Sequence, residues 1–229
     1  MTRLLRKSLV LPFASLALVS CASISVDEST ESVRQHKPEL VYVMNFSTEH
    51  SDFEVDRNGD TLSNFKRNLQ LMLRAGIVAD VTDKLVPTVA ETNIDNTRSR
   101  NAWLVRGEFT TVKQGSRFLR SAIGFGAGGT KLETRVEIYD LAENPGTPFL
   151  TFTTSGGSNA EPGAILALTT DPVQLAIGGV SGAAHGLSED AARTAREITA
   201  EISNYMYNRG WISADERIEP KRPRATDTW

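Results

Sequence analysis

Trp103-Leu104-Val105-Arg106-Gly107-Glu108-Phe109-Thr110-Thr111-Val112 decides the architecture. Trp103, Val105, Gly107 and Phe109 alternate with Arg106, Glu108 and Thr110, the period of two expected of a strand with one face buried and the other in water. The alternation returns downstream, where Leu132, Thr134, Val136 and Ile138 are interleaved with Lys131, Glu133, Arg135, Glu137 and Tyr139. A third run, Phe149 to Thr154, follows the turn signal Asn144-Pro145-Gly146 at hairpin distance. The three runs predict an antiparallel β-meander.

Upstream, Leu40-Val41-Tyr42-Val43-Met44-Asn45-Phe46 is a short apolar, β-branched run that reads as a strand buried on both faces. A polar loop follows it. Thr61 is placed to cap a helix carrying Leu62, Phe65, Leu69 and Met72 on one face, and Gly76 is placed to close it. Ile77 to Val81 then reads as a second short strand, whereas Lys84 to Glu91 is ambiguous because Pro87 interrupts it. A final helix, Ser188 to Arg209, sets Ala191, Ala195, Ile198, Ile202 and Tyr205 along one stripe and stops at Gly210. Together these elements predict an α+β (α/β two-layer) fold, a mostly antiparallel sheet with a β-meander covered by two main amphipathic helices.

Composition agrees with one ordinary core: of 229 residues, 40% are apolar and 23% charged. A domain spanning residues 38–213 is large enough to bury roughly 70% of its unfolded surface. A net charge of −3 and 7% aromatic residues provide no basic surface suited to phosphates, so nucleic acid is not an expected partner.

The first twenty residues have the layout of a secretion signal: basic Arg3, Arg6 and Lys7, an apolar run from Leu9 to Leu18, and small residues up to Ser20. The apolar run is shorter than the roughly 20 residues a permanent span needs, so removal is expected. Leu18-Val19-Ser20-Cys21 resembles the bacterial lipobox, and the chain's single cysteine occupies the position that is acylated there. Cleavage would leave Cys21 as the first residue and move the net charge from −3 to −6. Ala22 rather than Asp after the cysteine resembles lipoproteins sorted to the outer membrane, with the domain facing the periplasm. Residues 21–37, rich in Ser, Glu and Gln, read as a flexible tether, and residues 214–229, with Pro220 and Pro223, as a loose tail.

Several motifs match a regular expression without its context. Gly124, Gly126 and Gly129 satisfy G-x-G-x-x-G, yet strand residues follow where a dinucleotide fingerprint opens a helix. A glycine-rich hairpin is the better reading, with Arg117, Phe118, Leu119, Arg120 and Phe125 forming an apolar, basic tip. The stretch from Ala164 to Ala184 is apolar, but Asp171 and Pro172 make it a poor membrane span. Glu54 to Gly59 spaces oxygen ligands as a calcium loop does, with Phe65 where a bidentate Glu is required. Ser63-Asn64-Phe65-Lys66 matches S-x-x-K, but its companion elements are missing. His36, His50 and His185 fall in the tether and in loops, at spacings that suggest neither a metal site nor a catalytic triad.

The lipobox, the Leu40 to Phe46 strand, Arg106-Gly107-Glu108-Phe109, Arg120-Ser121-Ala122-Ile123-Gly124-Phe125-Gly126-Ala127-Gly128, Tyr139-Asp140-Leu141 and Gly210-Trp211 together resemble bacterial lipoproteins of domain-of-unknown-function family 4410. The resemblance spans nearly the whole mature domain and carries no catalytic residue across. More distantly, the layout resembles lipoproteins that activate cell-wall synthases and the one that forms the curli secretion pore. In the pore family two segments become membrane hairpins; the counterparts here are Gly115 to Thr130 and Gly156 to Gly186, neither with the alternation of lipid-facing strands.

The expected function is a non-enzymatic, lipid-anchored envelope module that binds a protein partner, uses no cofactor or metal, and is compatible with a homo-oligomer. The contact candidates are Arg117, Phe118, Arg120, Gly124, Phe125, Gly126 and Gly128, with Cys21 as the lipidation site. The alternatives are a subunit of an oligomeric outer-membrane pore and an unrecognised hydrolase.

Overall fold

The computed structural model describes residues 23–28, 37–93, 101–115, 130–158 and 183–221. Seven strands and two helices are described: β1 (Ser23–Glu28), β2 (Leu40–Val43), β3 (Asp52–Glu54), α1 (Gly59–Lys84), β4 (Thr88–Ala90), β5 (Ala102–Lys113), β6 (Thr130–Asp140), β7 (Asn144–Ser158) and α2 (Ala183–Asn208). All the strands join one sheet in the order β1-β7-β6-β5-β2-β4, with β3 paired to the far end of β5. Both helices lie on one face, giving the predicted α+β architecture.

The meander β5-β6-β7 is present and antiparallel throughout. The turn between β6 and β7 comes earlier than Asn144-Pro145-Gly146, because Asp140 Oδ1 accepts the backbone N–H groups of Ala142 and Glu143 at 3.0 and 3.2 Å. The sheet as a whole is mixed: β2 runs parallel to both β4 and β5, and β3 parallel to β5. The β2 strand turns Val41 and Val43 fully inward and leaves Leu40 and Tyr42 half-buried.

The helix predicted to end at Gly76 continues to Lys84, and Ile77 to Val81 is helical rather than a strand. Leu69, Leu73, Ile77 and Val81 recur every four residues and are all buried, so the core-facing stripe runs on past the glycine. A Cβ at Gly76 would lie 2.9 Å from that of Ala195, so this glycine permits the two helices to approach rather than ending the first. At the start of α1, Thr61 is the third helical residue and not the cap: its hydroxyl accepts from Asn58 N–H at 3.3 Å and donates to the Asn58 carbonyl at 2.7 Å. The α2 stripe Ala191, Ala195, Ile198, Ile202 and Tyr205 is buried as expected, and Gly210 follows with φ +72°. His185, expected in a loop, falls in the first turn of α2.

Both ends of the domain are tied down more firmly than their composition suggests. Within the expected tether, β1 pairs antiparallel with β7, and Ile24 is wholly buried. Of the expected loose tail, Arg217 to Lys221 runs back along α2. Ile218 N–H donates to Ser203 Oγ and Lys221 N–H to Glu197 Oε2, both at 2.9 Å, while the Lys221 carbonyl accepts from Ile24 N–H at 2.9 Å. These bonds give the buried Glu197 and Ser203 of α2 their partners.

Candidate functional site

Among the described residues, the face of the sheet away from α1 and α2 carries the polar, more exposed side chains of β5 and β6. It has a groove of about 430 Å³ lined by Met44, Asn45, Ser47, Arg106, Gly107, Glu108, Arg135 and Glu137. The groove forms just beyond the end of β2, where the chain continues along β5, held by Met44 N–H to Val105 O at 3.0 Å and Ser47 N–H to Gly107 O at 2.8 Å. Gly107 is required here, since a Cβ would collide with the Arg135 carbonyl and stand 2.7 Å from the Phe46 ring. Gln70 of α1 donates to the Phe46 carbonyl at 2.6 Å, tying the groove's rim to the helical layer.

Cross-strand register brings the polar side chains together, pairing Arg106 with Glu137 and Glu108 with Arg135. Arg106 Nε donates to Glu137 Oε2 at 3.2 Å and its other nitrogen to Tyr139 Oη at 2.5 Å, while Tyr139 Oη donates to Glu137 Oε2 at 2.5 Å. The guanidinium also lies over the Tyr139 ring, 4.4 Å from its centroid. Arg135 Nε stands 3.9 Å from Glu137 Oε1. Burial and the hydrogen bond to Glu137 push the Tyr139 phenol up to about 12, against the pull of Arg106. The phenol therefore stays protonated at neutral pH and acts as a hydrogen-bond link, and Glu137 accepts from Arg106 and Tyr139 with the Arg135 guanidinium alongside. The arrangement suits recognition: the Arg106 guanidinium and the Glu137 carboxylate are held through Tyr139, with Arg135 and Glu108 beside them on the same strand face.

A second polar cluster lies between the layers. Asp190 of α2 is fully buried and accepts from Thr130 Oγ1 at 2.5 Å and from Arg193 at 3.3 Å. Burial raises its pKa, opposed by Thr130 and Arg193. It fastens the start of β6 to α2.

Among the motifs set aside on sequence grounds, Glu54 is taken by Lys113, and Gly59, at φ +53°, opens α1 instead of a ligand loop. Ser63 Oγ donates to the Gly59 carbonyl, and Lys66 lies over the Phe53 ring. Among the described residues there is no group of three His, Cys, Asp or Glu side chains able to hold a metal ion. The sequence-based contact candidates Arg117, Phe118, Arg120, Gly124, Phe125, Gly126 and Gly128, and the lipidation candidate Cys21, lie outside the described residues. The groove was not anticipated as a site. Arg106, Glu108, Arg135 and Glu137 are legible in sequence only as a wet face, because nothing local states which of them stand opposite one another.

Residues 41–179, more than half of the chain, match the family described as Domain of unknown function (DUF4410). The chain belongs to this family. The DUF4410 match takes in β2 through β7, and with them both walls of the groove. No curated protein matches the chain. Among solved structures, a PelC dodecamer from Paraburkholderia phytofirmans aligns at 12% identity with a TM-score of 0.35, covering 75% of this chain and 94% of that one. A variant of the same dodecamer aligns at 12% identity with a TM-score of 0.33, covering 76% and 97%. Likenesses at this level carry no argument about what the DUF4410 chain does.

Proposed function

We propose that this DUF4410 chain is a lipid-anchored protein of the outer membrane, facing the periplasm, that works without catalysis by binding a polypeptide partner of the envelope. The leader and the lipobox cysteine support the address. The observation that supports the binding role is the sheet face away from α1 and α2, whose groove holds Arg106, Arg135, Glu108 and Glu137 in register. Such a surface matches a segment bearing charges of both signs, since Arg106, Arg135 and Glu137 can exchange an internal partner for an external one.

A photo-crosslinking residue placed at Glu108 in intact cells tests this. The expected result is an adduct of one defined mass, absent when the probe is at Asp80 on α1 and lost when Arg135→Glu is added with unchanged melting temperature. Equal crosslinking from both positions, or an adduct indifferent to Arg135→Glu, would contradict the assignment.

A further inference from the structure

We infer that the sheet end at which β1 begins faces the membrane and that the opposite end is held away from it. This rests on the proposal that Cys21 is acylated and deepens it.

The inference follows from where the strands start and stop. Ser23, the first residue of β1, pairs with Ser155 near the end of β7, and Thr130, the first of β6, pairs with Ser158. Lys113 at the end of β5 pairs with Lys131 and, across β3, with Glu54. Ser23, Lys113, Thr130 and Ser158 therefore share one end of the sheet, as do the start of α1, through Arg57 to Gln114 at 2.6 Å, and the early turns of α2, through Asp190 to Thr130. The described segments that end at Gly115 and Ser158, and the one that begins at Thr130, do so on this side. The turn at residues 141–143 and the aromatic cluster of Trp103, Phe149, Tyr205 and Trp211 lie at the other end.

Two peptide units separate Cys21 from Ser23, a reach of at most about 7 Å. A flexible tether across residues 21–37 would instead let the domain wander by roughly 20 Å and turn freely. By placing Ser23–Glu28 in the sheet, with Ile24 buried, the fold removes that freedom. Twelve residues of β5 extend roughly 40 Å, so the aromatic end stands that far from the anchored end, and the groove, along the strand face, lies between the two. The contact is with a lipid surface, approached through the acyl chains and not through charge. Near this end Lys113 is matched by Glu54, and the mature chain is acidic overall.

The test uses the full acylated chain in vesicles of zwitterionic lipid containing a headgroup-attached quencher. With the Cys21 sulfur in a thioether, a single introduced cysteine is the only thiol to label. Asp60→Cys reports the anchored end and Glu143→Cys the far turn, both at exposed positions. The expected result is severalfold stronger quenching at 60 than at 143, with flotation unaffected by salt. A sixteen-residue Gly/Ser insertion between Ala22 and Ser23 should preserve flotation and bring the two signals together. Flotation with equal quenching at both positions, or an unchanged ratio after the insertion, overturns the orientation. Failure of the uninserted chain to float overturns the anchoring proposal instead.

Discussion

The two faces of the sheet are built from alternate residues of the same three strands, yet they do different work. On the covered face Trp103, Phe109, Leu132, Val136 and Phe152 are essentially without exposure and belong to one buried cluster with the core residues of α1 and α2. On the open face Lys131, Glu133, Arg135, Glu137 and Arg106 meet water and one another. Stability lives on the first face, because each large buried side chain contributes about 1.5–3 kcal/mol, whereas an exposed ion pair contributes about 0–1. The second face can therefore change with little cost in stability, as the proposed binding role requires.

That contrast can be broken experimentally, and the greatest effect is expected at Trp103. Its ring touches those of Phe149, Tyr205 and Trp211, with centroids at 4.8, 5.7 and 5.9 Å. Trp103→Ala should cost about 3–5 kcal/mol in denaturant unfolding, and a loss below 1 would mean that the aromatic end is not part of the core. Gly107→Ala comes next, because its new methyl meets backbone on one side and the Phe46 ring on the other. A loss of about 1–3 kcal/mol is expected, together with loss of the Glu108 crosslink, since the groove's floor must move.

Asp190→Asn should produce a smaller effect that depends on pH. The folded-state pKa of Asp190 lies above its ordinary value, so its favourable contribution is present below that value and is lost as pH rises through the raised one. Relative to the Asn variant, wild type should therefore gain stability as pH falls from neutrality toward the carboxylate range. Chemical denaturation at a series of pH values checks this, and an opposite slope would show that Arg193 and Thr130 outweigh burial. The smallest change in stability is expected for Arg106→Ala, under about 1 kcal/mol by denaturant unfolding. The same variant should lose the Glu108 adduct, which separates the roles of the two faces.

The strands of the meander and the stripe of α2 were legible because each alternates or repeats against water, leaving its period in the sequence. The second half of α1 was not. Gly76 followed by β-branched Ile77 imitates a helix end and a strand; the stripe Leu69, Leu73, Ile77 and Val81 carries the helix on, and the close approach of Ala195 explains the glycine. Ser23-Ile24-Ser25-Val26 does alternate, but so brief a run at a polar terminus looks like tether until β7 is there to pair with it. The groove was hidden for a related reason. Its residues were visible one by one, whereas the register placing Arg106 against Glu137, and the pairing of Met44 to Ser47 along β5, are properties of the assembled sheet.

The claim beneath the whole account is that Cys21 is where the mature chain begins and where lipid is attached. Intact mass measurement of the protein extracted from bacterial membranes tests it directly. The account predicts a chain of residues 21–229 carrying a diacylglyceryl thioether and an amide-linked acyl group. A mass showing an unmodified thiol, or the leader still in place, would contradict it.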